Sequence, residues 1–262
     1  SSQLYHRKPI LIGETVMVDS AGVGGIFWTL NDGIRAAYNA GRGKTLADFG
    51  TYGQMDITGI KDMIISGMGI SWFVTGPQSA IRKATRIGGS NYTSSVITAT
   101  ASGDSRLIIE NFVMLHARAG GSSGAYLVNF SVANTFSEGV FRNNMVAGGD
   151  DDCIRHNGGW STFRNNTIVN CDGAGINGSA TGGSGFSVIE NFIHNNGNYG
   201  AIIQGDDVIL NDNFMRDNAG AQIRLEATSN GFIYDGNRLD ATAISNAGAS
   251  NVTTGHNNSA AW

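Results

Sequence analysis

The chain has 262 residues, of which 38 are Gly, 26 are Asn and only 2 are Pro, and 15% are charged against about 25% in ordinary soluble domains. With 41% hydrophobic residues, neither a collagen repeat nor a disordered chain fits. The net charge of −4 gives no electrostatic case for a nucleic-acid partner, and no apolar run of the roughly 18 residues that cross a membrane exists. With no initiator Met and no signal peptide, a processed or trimmed chain is expected. Two Cys, Cys153 and Cys171, permit at most one disulfide and exclude a disulfide framework. Gly and Asn both tolerate φ > 0, so their excess predicts many tight turns.

Residues 1–25 read as an N-terminal segment, with an apolar, strand-like run over 8–18 suited to attachment. The rest, 26–262, reads as one domain. It opens with a helix near 31–40. Asn31 is its start signal, Ile34, Ala37 and Tyr38 share one face, and Gly41 is the stop. Such a helix suits a cap over the open end of a stack of strands.

A repeat follows. The phrase apolar-x-x-Asn ends at Asn111, Asn144, Asn166, Asn191, Asn213 and Asn237. From Asn144 onward the spacings are 22, 25, 22 and 24 residues, and Asn257 comes 20 later. A second strand sits inside each period. Ile154, Ile176 and Ile223 each fall 10 residues after their Asn, and Ile202 falls 11 after its own. Around them the pattern alternates, as in Cys153-Ile154-Arg155, Gly175-Ile176-Asn177 and Gln222-Ile223-Arg224, which marks strands with one buried face. Short strands at this period form the coils of a β-solenoid. Leucine-rich repeats need a Leu-x-Leu spacing that is missing, and helical repeats would not tolerate this much Gly and Asn. The fold class is therefore all-β, a right-handed parallel β-helix with a short N-terminal capping helix. Asn side chains are expected to stack at its turns in hydrogen-bonded ladders. The last coil thins after Ala247, and Trp262 is expected to plug the end.

The densest chemical signal is Gly148-Gly-Asp150-Asp151-Asp152-Cys153-Ile154-Arg155-His156, with Trp160 close behind. Adjacent carboxylates repel and raise one another's pKa unless they are solvated, share a proton or bind a cation. Arg155 should point outward, opposite in sense to Ile154. Asp172 lies six residues after Asn166, as Asp150 does after Asn144, so these two carboxylates should stack about 4.8 Å apart. Asp150, Asp151, Asp152 and Asp172 are the catalytic candidates. Arg155, His156, Trp160, Asn177 and Arg224 are the substrate-binding candidates.

Asp151-Asp152-Cys153-Ile154, followed by Cys171-Asp-Gly-Ala-Gly-Ile-Asn-Gly-Ser179, resembles the catalytic stretch of polygalacturonase-type glycoside hydrolases. The resemblance implies acid/base roles for Asp151 and Asp152 and a Cys153–Cys171 disulfide. More widely, the Ala-rich helix, Gly43-Lys-Thr-Leu-Ala-Asp-Phe-Gly-Thr-Tyr52 and Ile60-Lys-Asp-Met-Ile-Ile-Ser-Gly67 resemble the opening of the pectate-lyase-like superfamily. That group includes lyases, hydrolases, epimerases and bacteriophage tailspikes. It implies a polysaccharide partner, an extracellular or virion-surface setting and, by likeness to tailspikes, a homotrimer.

Three mechanisms compete. Hydrolysis needs a carboxylic acid at the leaving oxygen and a second carboxylate, and it requires no cofactor. Elimination or epimerisation on uronic acids needs the substrate carboxylate neutralised, with Ca²⁺ held by Asp150, Asp151 and Asp152 and with Arg155 or His156 assisting. A non-catalytic adhesin or phage-fibre segment needs only stacking aromatics and polar ladders, for which Trp160, Tyr199, Asn177 and Gln204 are available. His116 reads as a packed strand residue and His194 as a solvated turn residue. Glu226 is a weaker alternative carboxylate.

Overall fold

A strand of three or four residues cannot bury a face alone. A repeat of 22 to 25 residues solves this by stacking equivalent strands in register. The computed structural model describes residues 11–12, 15–19, 29–74, 80–88, 95–99, 105–115, 126–130, 136–179, 185–227, 230–240, 244–254 and 258–259. His116, Asn257 and Trp262 lie outside them, as does the start of the 8–18 run. Among the described residues, three sheets of 11, 10 and 8 strands build a right-handed parallel β-helix. Pairing is parallel except between Leu11–Ile12 and Thr15–Val18, and between Ile70–Val74 and Ala80–Gly88. Thr15–Val18 itself runs parallel to Lys44–Ala47, so the first sheet begins inside the 1–25 segment.

The helix spans Leu30–Asn39, and its N-cap is Thr29, whose hydroxyl accepts the Asp32 N–H at 3.1 Å. Asn31 is not the cap. Its amide instead donates to the Gln54 carbonyl and its oxygen accepts the Asp56 N–H, both at 2.9 Å. That clip ties the helix to the third sheet. Leu30, Ile34 and Ala37 are buried beside Val16 and Val18, whereas Tyr38 is exposed.

Inside the coil, equivalent residues stack in columns. Ile109, Phe141, Phe163, Val188, Leu210 and Tyr234 follow one another by register in the first sheet, and all are buried. Each such side chain contributes about 1.5–3 kcal/mol on leaving water. One stretch of the core is aromatic. Phe130 and Phe136 stack at 4.3 Å, and His156 meets Phe163 and Phe186 edge-on at 5.0 and 5.4 Å. His156 is fully buried. Among the described residues neither ring nitrogen makes a well-formed hydrogen bond. Burial pushes its pKa down to about 4, with only the Gly158 backbone opposing.

The asparagines perform two different jobs. Asn144, Asn166, Asn191, Asn213 and Asn237 form a buried ladder at the turn between the first and second sheets. The Oδ1 of each upper Asn accepts the backbone N–H of the Asn one coil below, at 3.0 Å in all four steps. The amide of Asn191 donates onward to Asn213 at 3.1 Å and to the Phe163 carbonyl at 2.9 Å. The residue before each rung takes positive φ, as at Asn143, Asn165, Glu190, Asp212 and Gly236. Among the described residues 13 non-glycines and 9 glycines have positive φ, so turns alone do not account for the Gly and Asn excess. The repeat also shifts by one at its first member. Ile109 pairs with Phe141, so Phe112, not Asn111, holds the rung position, and its N–H donates to Asn144 Oδ1 at 3.0 Å.

Asn191→Ala should leave the Asn166 N–H and the Phe163 carbonyl unpaired. Each such orphan costs about 1–3 kcal/mol, whereas Asn198→Ala on the exposed surface should change stability by less than about 0.5 kcal/mol. Urea unfolding of the two variants checks this, and equal losses would contradict the ladder. For His156, an unfolded value of 6.5 against about 4 in the fold means the unfolded chain takes up the proton first. Stability is fully present above pH 6.5 and falls as pH drops from there to about 4, by about 3 kcal/mol. Unfolding of His156→Phe across that window should lack this contribution, and a pH profile identical to the parent's would refute it.

Candidate functional site

Along the third sheet alternate residues face outward. The strand register stacks Asn129, Arg155, Asn177, Ile202 and Arg224 into one outward row. Three of these side chains repeat one geometry. Each reaches the residue three places before its own neighbour on the preceding coil. Arg155 lies over the Tyr126 ring, 5.6 Å from its centroid. Asn177 donates to Asp152 Oδ2 at 2.8 Å. Arg224 lies over the Tyr199 ring at 5.1 Å and donates to its hydroxyl at 2.7 Å. Asp152 thus stands in the column where the two tyrosines stand.

Asp152 is the chemically unusual member. It lies just before the Ile154–Asn157 strand and is 5% exposed. Its Oδ1 accepts the Ala174 N–H at 2.8 Å, and its Oδ2 accepts from Asn177 and, at 3.4 Å, from Arg155. Burial raises its pKa, and the Asp151 charge adds to this, against the opposing hydrogen bonds from Ala174 and Asn177 and the charge of Arg155. The coil above makes room for it. A Cβ on Gly173 would sit 2.6 Å from both the backbone nitrogen and Oδ1 of Asp152, so only Gly lets the chain pass there.

The Asp152 loop is pinned from both sides. Cys153 and Cys171 are bonded, with Cα atoms 5.4 Å apart, as the family resemblance implied. Cys171 also starts a second Asn ladder, its N–H donating to Asn196 Oδ1 and that of Asn196 to Asn218 Oδ1, both at 3.1 Å.

The remaining candidates separate. Asp150 is buried, Asp151 is half-buried and Asp172 is exposed. Asp151 Oδ1 accepts the Asp152 N–H at 2.9 Å. The Asp172 N–H donates to the Gly149 carbonyl at 2.8 Å, so Asp172 lies one coil above that turn. Among the described residues no three His, Cys, Asp or Glu side chains are grouped to hold a metal ion.

His156 is not a substrate contact. The alternation that turns Arg155 outward turns His156 into the aromatic core. Trp160 is 65% exposed with φ +58°, but it lies past the far end of the Ile154–Asn157 strand. It belongs to a corner column with Asp62, Arg106 and Glu138, all of positive φ, and not to the Asp152 end. Arg224 is on the same face as Arg155, and its Nε donates to Glu226 Oε1 at 2.7 Å. Tyr126 was missed by sequence reasoning. Its signal is positional, three residues before Asn129.

A recess of about 250 Å³ lies elsewhere, lined by Arg142, Asn143, Arg164, Asn165 and Glu190. Arg142 pairs with Glu110 at 2.7 Å and Arg164 with Glu190 at 2.9 Å. It holds no carboxylate of raised pKa, so the third-sheet face is the better chemical candidate.

No protein-family model and no curated protein sequence matches the chain. Solved structures share its fold at low identity. A mannuronan C-5 epimerase A-module from Azotobacter vinelandii is 13% identical with a TM-score of 0.58, covering 87% of this chain and 71% of that one. Pectin methylesterase from Erwinia chrysanthemi is 12% identical with a TM-score of 0.54, over 88% and 80%. A GH87 α-1,3-glucanase catalytic unit from Streptomyces thermodiastaticus is 15% identical with a TM-score of 0.54, over 86% of this chain and 43% of that one. By their names these three carry out different reactions, so the likeness establishes the parallel β-helix and leaves the chemistry to the site.

Proposed function

We propose that the protein acts on a polysaccharide laid across the outer face of the third sheet and cleaves it by glycoside hydrolysis. The observation that carries this reading is Asp152, a carboxyl of raised pKa at the edge of a polar face. A group that keeps its proton longer than an ordinary carboxylate suits a general acid. Asp152 donates that proton to the glycosidic oxygen as the C–O bond breaks. Asp151, half-buried beside it, accepts a proton from the attacking water, with exposed Asp172 as the second candidate base. Asn177 and Arg155 hold the Asp152 carboxylate after the proton leaves. The names of the fold neighbours, among them a mannuronan epimerase and an α-1,3-glucanase, support a carbohydrate substrate. The disulfide supports an extracellular or virion-surface setting. Calcium-assisted elimination draws less support, because the acidic run does not converge on one point.

A panel of polysaccharides assayed for reducing ends and for absorbance of unsaturated products tests the reaction. New reducing ends without unsaturation are expected. Unsaturated ends would overturn hydrolysis in favour of elimination, and binding without cleavage would make the protein an adhesin. Asp152→Asn should lower turnover on the order of 10²- to 10⁴-fold with the fold intact by circular dichroism. Activity should also fall as pH rises through the Asp152 pKa. Asn177→Ala removes a donor to the charged form, so it should move that fall to higher pH, and a move to lower pH would contradict the assignment.

A further inference from the structure

The two arginines of the outward row are built alike. Arg155 and Arg224 are 33% and 35% exposed at the side chain. Each has its guanidinium carbon over a tyrosine ring of the preceding coil, 5.6 and 5.1 Å from the centroid, and each tyrosine is three residues before the arginine's strand partner, Tyr126 before Asn129 and Tyr199 before Ile202. Stacking fixes the plane of a guanidinium and leaves its edge to meet a planar or tetrahedral anion. Among the described residues, Arg155 places one donor on Asp152 at 3.4 Å. Arg224 uses Nε on Glu226 and one terminal nitrogen on Tyr199.

Between them the row is uncharged. Asn177 and Ile202 occupy the two intervening coils, so the cations are three strand spacings apart, about 14 Å. The surroundings are acidic, with Asp151 and Asp152 near one arginine and Glu226 at the other. A chain with a negative charge on every unit would meet repulsion there. A chain whose charges recur at intervals would not.

We propose that the face binds an acidic polysaccharide in which carboxylate or other anionic groups are separated by uncharged sugars, with Arg155–Tyr126 and Arg224–Tyr199 each taking one anionic group. This rests on the reading that the third-sheet face is where the polysaccharide lies, but it does not depend on cleavage. Because the net charge is −4, attraction to a polyanion has to come from a local site and not from the whole molecule.

Binding to immobilised dextran and to carboxymethyl-dextran of low and high substitution, measured with Asp152→Asn so that turnover cannot interfere, tests this. Retention on the sparsely substituted polymer and none on plain dextran is expected. Arg155→Gln and Arg224→Gln should each weaken it about tenfold, and the double variant should weaken it further. Arg164→Gln, on the other corner, should bind like the parent. Equal retention on dextran, no retention on either charged polymer, or parent-like binding by the double variant would overturn the proposal. Cleavage of an uncharged polysaccharide alone would leave the hydrolase reading standing and end this one. Charge-dependent binding without any cleavage would do the reverse.

Discussion

A buried asparagine amide has to find partners on the coils above and below it, and everything else in this protein depends on that. Each rung of the ladder from Asn144 to Asn237 accepts the backbone N–H of the rung below. A slip of one residue would break these bonds and turn every side chain to the wrong face. Register held this way lets short strands stack without long-range helical support. It also makes the outer surface periodic, so that a side chain on one coil meets a predictable residue on the next.

The functional face follows from that periodicity. On the third sheet the same one-coil, three-residue reach produces Arg on Tyr, Asn on Asp, and Arg on Tyr again. The disulfide and Gly173 act on the middle of this series. They bring the Asp152 loop close enough to the coil above for Ala174 to bond it, while burial keeps its pKa high. A fixed register is what sets a carboxyl of raised pKa beside donors that favour its charged form.

Much of the architecture could be read from the Asn spacing, because a hydrogen-bonded ladder demands the same residue at the same phase. The helix was legible too, although its cap was not. Thr29 outcompetes Asn31 because Asn31 is engaged by the backbone at Gln54 and Asp56. The doubled Asn pairs concealed two roles, one residue taking positive φ and the next the buried rung. The site was only partly legible. Alternation placed Arg155 and Arg224 on one face, but the same rule should have turned His156 inward. Proximity in sequence suggested that Trp160 stood with the carboxylates, whereas an extended strand separates its ends. Tyr126 has only a positional signal, three residues before Asn129, because its partner Arg155 lies on the next coil and the stretch between them is longer than elsewhere in the repeat.

The central claim is that a polysaccharide lies along the outer face of the third sheet. A crystal structure of Asp152→Asn with a sparsely carboxylated oligosaccharide tests it most directly. The account predicts sugar density running across the coils from Arg155 to Arg224, with a glycosidic oxygen beside residue 152. Density confined to the Arg142 and Arg164 recess, or to the Trp160 corner, would contradict it.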